Sequence, residues 1–290
     1  MRVERHQPCH HYDDRKKRLL NEMGPRVPEE EPDLSASVAP ADHLQAARLA
    51  GEAGRLLVEL RTGINAGLSP DEARHEGDQR SHQFLARAIA ELYPEDGLLS
   101  EEGADSPERL GHQRVWVVDP LDGTREFGEP GRSDWAVHVC LSVGGQAVAG
   151  AVALPALGTV LSTAEPPRLG VRAPGPLRLV VSRTRPPAAV ERIAKFLGAE
   201  LVPMGSAGAK AMAVVSGQAD VYIHSGGQYE WDSAAPVAVA HSAGLHTSRL
   251  DGSALVYNQP NPWLPDLVIC RPDVVGPVFK ALAEVAEQPG

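Results

Sequence analysis

The chain has 290 residues, 28 basic and 38 acidic, giving a net charge of −10, and 42% of its side chains are hydrophobic. That length suits one large domain or two small ones with a sizeable core, and the acidic balance disfavours binding to nucleic-acid phosphates. No run approaches the roughly 18 apolar residues of a membrane helix, the first residues lack the apolar stretch of a secretory signal, and the scattered Cys9, Cys140 and Cys270 fit neither a disulfide framework nor a Cys-x-x-Cys zinc site. A cytoplasmic protein without membrane or nucleic-acid partners is the expectation.

Residues 1–37 mix charge blocks with Pro8, Pro25, Pro28 and Pro32 and hold almost no periodic apolar positions. Such a stretch cannot bury enough surface to offset its ordering entropy, so a disordered tail is expected. Cys9, His10 and His11 lie in it, either as soft-metal ligands or as incidental neighbours. A single catalytic domain is expected over 38–286, with one half at about 38–165 and another at about 177–286.

Helical periodicity begins at Asp42 and places Leu49, Ala53, Leu56, Leu57 and Leu60 on one face. A second helix is predicted from Ser69 to Tyr93, with Phe84, Leu85, Ala88, Ile89 and Leu92 inward and Pro94 as its stop. Short apolar runs follow at Leu98-Leu99, Val115–Val118, Ala136–Val143, Ala147–Leu154 and Thr159–Ser162, with Gly144-Gly145 as a hairpin turn. Beyond a Pro/Gly-rich connector at Pro166–Pro176, strands at Leu177–Ser182, Val221–His224 and Leu267–Cys270 alternate with helices at 188–197, 206–217, 232–244 and from about Pro272. Helices layered on sheets, of the α/β or α+β class, are the implied architecture.

The chemistry concentrates at the end of one strand. Arg114-Val-Trp-Val-Val runs directly into Asp119, and Pro120, Leu121, Asp122, Gly123 and Thr124 follow. Proline fixes φ and removes a donor, so the strand is expected to stop there. The turn can aim both carboxylates and the Leu121 carbonyl into one space, and a helix starting at Gly123 would turn its free amides on the same space and favour an anion. Asp-Pro and Asp-Gly are also ordinary turn dipeptides. Glu101-Glu102 follows the Leu98-Leu99 run, as ligands or as solvated surface, and Asp232 sits at a predicted helix start, as ligand, N-cap or both. Oxygen ligands without cysteine or histidine suit Mg²⁺. Four carboxylates in one pocket repel by roughly 4 kcal/mol per pair at 4 Å and an effective dielectric of 20, so they gather only around cations; otherwise they never meet. By that argument Asp122→Asn would leave the metal-free fold as stable as before, or more so.

Gly-x-Ser-x-Gly, P-loop, Gly-x-Gly-x-x-Gly and His-Glu-x-x-His motifs are absent, and the eleven histidines lack ligand spacing; His138, in a strand, reads as a surface or satisfied core residue. Metal-assisted hydrolysis is the leading reading.

Trp116 to Phe127, Trp231-Asp-Ser-Ala-Ala235 and Glu101-Glu102 together resemble the inositol monophosphatase-like superfamily, in the order of its signatures W-x-x-D-P-x-D-G-T-x-x-F and W-D-x-A-A. Leu99 to Glu102, Asp119 to Phe127, Val181 to Arg185 and Gly205-Ser206…Lys210 with Gly217 to Tyr222 look like its CysQ branch, the 3′-phosphoadenosine 5′-phosphate phosphatases. The resemblance implies a layered αβαβα sandwich of the α+β class, of the inositol monophosphatase and fructose-1,6-bisphosphatase type. It implies two Mg²⁺ ions, with a third left open, held by Glu101, Asp119, the Leu121 carbonyl, Asp122 and Asp232. Asp78 and Thr124 would be catalytic. Gly123, Thr124, Ser206, Lys210, Ser182 and Arg183 would contact a small phosphorylated metabolite. The implied activity removes the 3′-phosphate of 3′-phosphoadenosine 5′-phosphate, giving AMP, in sulfur assimilation, with lithium inhibition and a homodimer. Inositol 1-phosphate or fructose 1,6-bisphosphate hydrolysis, and a non-catalytic interaction protein, are the alternatives. Arg61 to Gly77 lacks the lysine and the Pro-Val-Thr loop of many relatives, which puts the third metal in question, and Gly128 to Trp135 departs from the usual continuation.

Overall fold

A computed structural model describes residues 38–287 apart from Ala66, Leu68 and Arg185; the expected tail, with Cys9, His10 and His11, lies outside the described residues. Among the described residues two long helices come first, α1 (Pro40–Asn65) and α2 (Pro70–Leu92). Ser69 caps α2 in a reciprocal capping box with Glu72, and Pro70 fills the first helical position, where its missing N–H leaves nothing unpaired. Ala73, Gly77, Ser81, Leu85 and Ile89 recur every four residues along the buried face of α2. Leu92 departs from its predicted inward place and is 43% exposed. At that end of the helix Tyr93 covers the core, its ring 4.8 Å from that of Trp116.

The first sheet contains β1 (Gly97–Ser100), β2 (Arg114–Asp122), β3 (Ala136–Val143), β4 (Gln146–Leu154) and β5 (Thr159–Ser162) in that spatial order. β1 and β2 are parallel, and every other pair is antiparallel. Gly144 and Gly145, at φ 56° and 84°, make the predicted β3–β4 turn, whose two positive φ values match the twist of the strands. A five-residue helix, α3 (Thr124–Gly128), follows β2.

The second sheet runs β7-β6-β8-β10-β9. Its strands are β6 (Arg178–Ser182), β7 (Glu200–Met204), β8 (Val221–Tyr229), β9 (His246–Ser248) and β10 (Trp263–Cys270). The interleaved helices are α4 (Ala188–Leu197), α5 (Ala207–Val215), α6 (Glu230–Ser242) and α7 (Val275–Glu287). β7 and β9 form the two edges and are additional to the predicted strands. Pro203 lies in β7, which an edge tolerates because one side of the strand needs no donors, and β9 is only three residues long.

Three apolar clusters hold five layers together. One joins α1 and α2 to the first sheet through Leu49, Leu57, Leu85, Trp116 and Leu141. A second lies between the sheets, where Met212 and Val214 of α5 and Ala234 to Val239 of α6 meet Val117, Tyr222 and Ile269. A third joins α4 and α7 to the outer face of the second sheet through Ile193, Val221, Val268 and Val278. The architecture is therefore the layered α+β arrangement that the motifs implied. In the central layer Gly150 sits where a Cβ would stand 2.8 Å from that of Ala238, so β4 and α6 touch backbone to backbone. Gly150→Val is expected to lower unfolding free energy by about 1–3 kcal/mol in urea titration, whereas Gly170→Ala, which meets nothing within 4 Å, should change it little; equal values would contradict close packing here.

Candidate active site

β2 does not stop at Pro120. It continues to Asp122 through an irregularity that shifts its register on β3, from Asp119 opposite His138 to Asp122 opposite Ala136. The Pro120 carbonyl is held by the Ser81 hydroxyl of α2 at 2.7 Å. Such a bulge re-aims side chains, and here Asp119 and Asp122 end with carboxylate oxygens within 4.8 Å of each other and of a ring nitrogen of His138. Gly123 then takes φ 85°, the left-handed region, and a Cβ there would lie 2.9 Å from that of Ser206. Both constraints require glycine.

Glu101 reaches the same place from the neighbouring strand, because its N–H bonds the Val118 carbonyl just past the end of β1. Its carboxyl hydrogen-bonds that of Asp119. Asp119 is buried, 1% exposed, and one oxygen accepts the Leu121 N–H at 3.0 Å. Burial, followed by the charges of Glu101, Asp122 and Asp232, pushes the Asp119 carboxyl well above the usual range. Burial and Asp232 push Glu101 to about 7, and burial and Asp122 push Asp232 to about 6. The four predicted carboxylates thus feel one another's charge, and three of them hold protons more tightly than isolated carboxyls do.

Asp122 is the exception. Its oxygens accept the N–H groups of Ala207 at 3.2 Å and Gly208 at 2.6 Å, from the start of α5. Nε2 of His138, fully buried, stands 3.1 Å from Oδ2, while Nδ1 donates to the Trp231 carbonyl at 2.9 Å. Although Asp122 is buried, His138, the Gly208 amide and Lys210 hold its carboxyl below the usual range. The repulsion expected of Asp122 is therefore already answered, and the unrelieved acids are Asp119, Glu101 and Asp232. His138, read from the sequence as a surface or satisfied core residue, is a fully buried one whose contacts serve the site: it joins the Asp122 turn to the residue before Asp232. Gly208 makes room for it, since a Cβ there would stand 2.1 Å from Nε2.

Asp78, on α2, meets the turn after β2 at Thr124. Thr124 Oγ donates to the Leu121 carbonyl at 3.1 Å and lies 3.4 Å from Asp78 Oδ1. Burial and then Glu102 push Asp78 to about 7.

The remaining predicted contacts are engaged within the protein. Ser206 caps α5, accepting the Ala209 N–H at 2.9 Å. The Lys210 amine is buried, bonds the Gly205 and Ser206 carbonyls at 2.5 and 2.9 Å, and lies over the Tyr222 ring. Burial lowers its pKa against the pull of Asp122 and Glu126. Arg183 pairs with Glu126 at 2.8 Å and Glu129 at 2.7 Å. Ser182 ends β6 beside it, half-buried. The unusual segment after Phe127 is tied back by Arg61, which bonds the Arg132 and Glu129 carbonyls and stacks over Trp135 at 5.3 Å.

Residues 43–273 match the family model described as the inositol monophosphatase family. The chain belongs to the inositol monophosphatase family. It is 48% identical over 241 residues to the 3′-phosphoadenosine 5′-phosphate phosphatase of Mycobacterium bovis, covering 80% of this chain and 90% of that one. It is 30% identical over 231 residues to the 3′(2′),5′-bisphosphate nucleotidase CysQ of Escherichia coli K12, covering 73% and 92%. Among solved structures, CysQ from Bacteroides thetaiotaomicron, a bacterial member of the inositol monophosphatase family, superposes with a TM-score of 0.70 at 24% identity over 80% of this chain and 97% of that one, a likeness of fold. Mycobacterium tuberculosis SuhB gives 0.64 at 26% identity over 85% and 97%.

The raised carboxyls carry a consequence for this family member without metal. The folded chain keeps protons on Glu101 and Asp78 up to about pH 7, whereas an unfolded chain releases them near the ordinary values of 4.5 and 3.8. Stability is thus fully present below the unfolded values and is lost as pH rises through about 7. With chelator present, the melting temperature should fall between about pH 5 and pH 8, and Asp119→Asn should raise it at the upper end while Asp122→Asn lowers it. A rising profile, or the reverse order of the two variants, would contradict the electrostatic assignment.

Proposed function

We propose that this chain is a Mg²⁺-dependent phosphomonoesterase that removes the 3′-phosphate of 3′-phosphoadenosine 5′-phosphate to give AMP, within sulfur assimilation. The observation that carries the reading is that Asp119 and Asp122 bring carboxylate oxygens within 4.8 Å of each other, with Glu101 and Asp232 near enough for their charges to act on one another and on Asp122, and with the Asp78–Thr124 pair beside the same turn. The names of relatives 46–48% identical over most of the chain support the substrate.

The donor set fits a hard divalent cation. It is made of carboxylates and a carbonyl, and its buried acids retain protons where a cation would neutralise them. Glu101, Asp119, the Leu121 carbonyl, Asp122 and Asp232 would hold two ions. When bound, these would polarise a water and neutralise charge on the phosphoryl and leaving oxygens.

The chain's own residues do the rest. The Gly123 and Thr124 amides would receive the scissile phosphate at the start of α3, where Gly123 is the N-cap in the left-handed region and no side chain caps the helix. Thr124 Oγ takes the proton of the attacking water as its own passes to Asp78. A threonine hydroxyl is too weak a base alone, and the Asp78 carboxylate, 3.4 Å from Thr124 Oγ, is the group placed to accept its proton. The bond from phosphorus to the 3′-oxygen breaks as the water oxygen joins the phosphorus. The departing 3′-oxygen takes a proton from solvent water to give AMP, and Asp78 returns its proton to solvent afterwards. Lys210 and Ser206 hold the loop that carries the Ala207 and Gly208 amides onto Asp122, which keeps that carboxylate aimed while the reaction proceeds.

Phosphate release measured with Mg²⁺ on 3′-phosphoadenosine 5′-phosphate, inositol 1-phosphate and fructose 1,6-bisphosphate should give the highest kcat/KM for the first, with millimolar lithium inhibiting. A higher value for either other substrate would reassign the main activity, and inactivity on all three would point to a binding protein. Asp78→Asn is expected to lower kcat by about 10²–10⁴-fold with KM little changed; wild-type kcat in this variant would remove Asp78 from the proton path.

A further inference from the structure

Aromatic side chains are scarce in this chain, with 4 Trp, 5 Tyr and 4 Phe in 290 residues. Three of them, Tyr229, Trp231 and Trp263, nevertheless gather where β8 ends and α6 begins, next to Asp232. The Tyr229 N–H donates to Asp232 Oδ2 at 2.7 Å, so this side chain leaves the backbone at the margin of the acid cluster. Its ring lies flat on that of Trp231, with centroids 4.7 Å apart and planes 7° from parallel.

Trp231 packs against the core between the sheets and its carbonyl is held by His138, so it is a fixed support. Tyr229 is not covered in turn: 46% of it is exposed. Trp263, its partner across the β8–β10 ladder, is 47% exposed and lies over Gly227, where any Cβ would stand 2.5 Å from the indole nitrogen. A large ring left half in water forgoes much of its burial free energy. Parallel stacking on a fixed indole also sets its plane, so an arriving flat ring meets a surface of defined orientation.

We propose that Tyr229, backed by Trp231, is the platform on which the base of a nucleotide substrate stacks while its phosphate lies at the acids. The inference rests on the phosphatase reading and adds how that site distinguishes a nucleotide from a base-free phosphate ester. An aromatic face suits a purine because stacking needs area and planarity rather than charge, and it tolerates any base. Tyr229 is thus a determinant of KM for nucleotides and takes no part in proton transfer.

The test compares Tyr229→Ala and Tyr229→Phe with the wild type. Kinetics use 3′-phosphoadenosine 5′-phosphate and inositol 1-phosphate, and calorimetry uses AMP and ribose 5-phosphate. The alanine variant should shift the ratio of kcat/KM for the two substrates by about tenfold against the nucleotide, through KM. It should weaken AMP far more than ribose 5-phosphate, and the phenylalanine variant should restore both. Equal losses with and without a base, or unchanged AMP affinity in a variant of normal melting temperature, would overturn the platform. A wild type that hydrolyses no nucleotide would remove the phosphatase reading instead, and the AMP comparison would still decide the role of Tyr229.

Discussion

Mutual repulsion among carboxyl groups at the end of β2 is the constraint on which the rest of the structure depends. A protein gains nothing in folding by burying Asp119 against Glu101 with Asp232 nearby. Without a cation, the molecule answers the problem in two ways. Asp119 and Glu101 each hold a proton more tightly than an isolated carboxyl, with burial the largest cause and their mutual charge adding to it. Asp122 stays ionised, because two amides of α5 and the buried His138 supply the positive end of the interaction. The cluster is therefore asymmetric: one side is a finished anion site, and the other asks for positive charge.

The layered fold exists around this point. β1 and β2 are the parallel pair of the first sheet and deliver Glu101 and Asp119 side by side. α5 and α6 lie between the sheets with their N-termini at the acids, so that one start binds Asp122 and the other presents Asp232. α2 reaches in with Asp78 and fixes the Pro120 carbonyl with Ser81. Small residues let these layers close. Gly150 brings β4 against α6, and Gly208 brings α5 against His138, each at a separation that a side chain would prevent.

Much of this is legible in the sequence because the informative residues are chemically special. Asp-Pro-Leu-Asp-Gly-Thr combines a donorless residue with one that accepts positive φ, and such a turn betrays itself through its residue types alone. The long helices show through their period and caps. The edges β7 and β9 do not show, since Pro203 argues against a strand and three residues are too few to display alternation. Leu92 looks inward by period alone, but the core at that level is filled by Tyr93. His138 is unreadable for a different reason: a histidine in an apolar strand gives no sign of what faces it, and its two contacts come from residues 16 and 93 positions away. The inward turn of Lys210 onto two carbonyls also depends on a loop conformation that no spacing reveals.

The central claim is that these acids form a divalent-cation site, and anomalous diffraction from crystals soaked in Mn²⁺ tests it most directly. The account predicts peaks among Glu101, Asp119, Asp122 and Asp232, at bonding distance from the Leu121 carbonyl, that vanish in Asp119→Asn crystals. Side chains unchanged from the metal-free arrangement, with no anomalous density between them at saturating Mn²⁺, would contradict it.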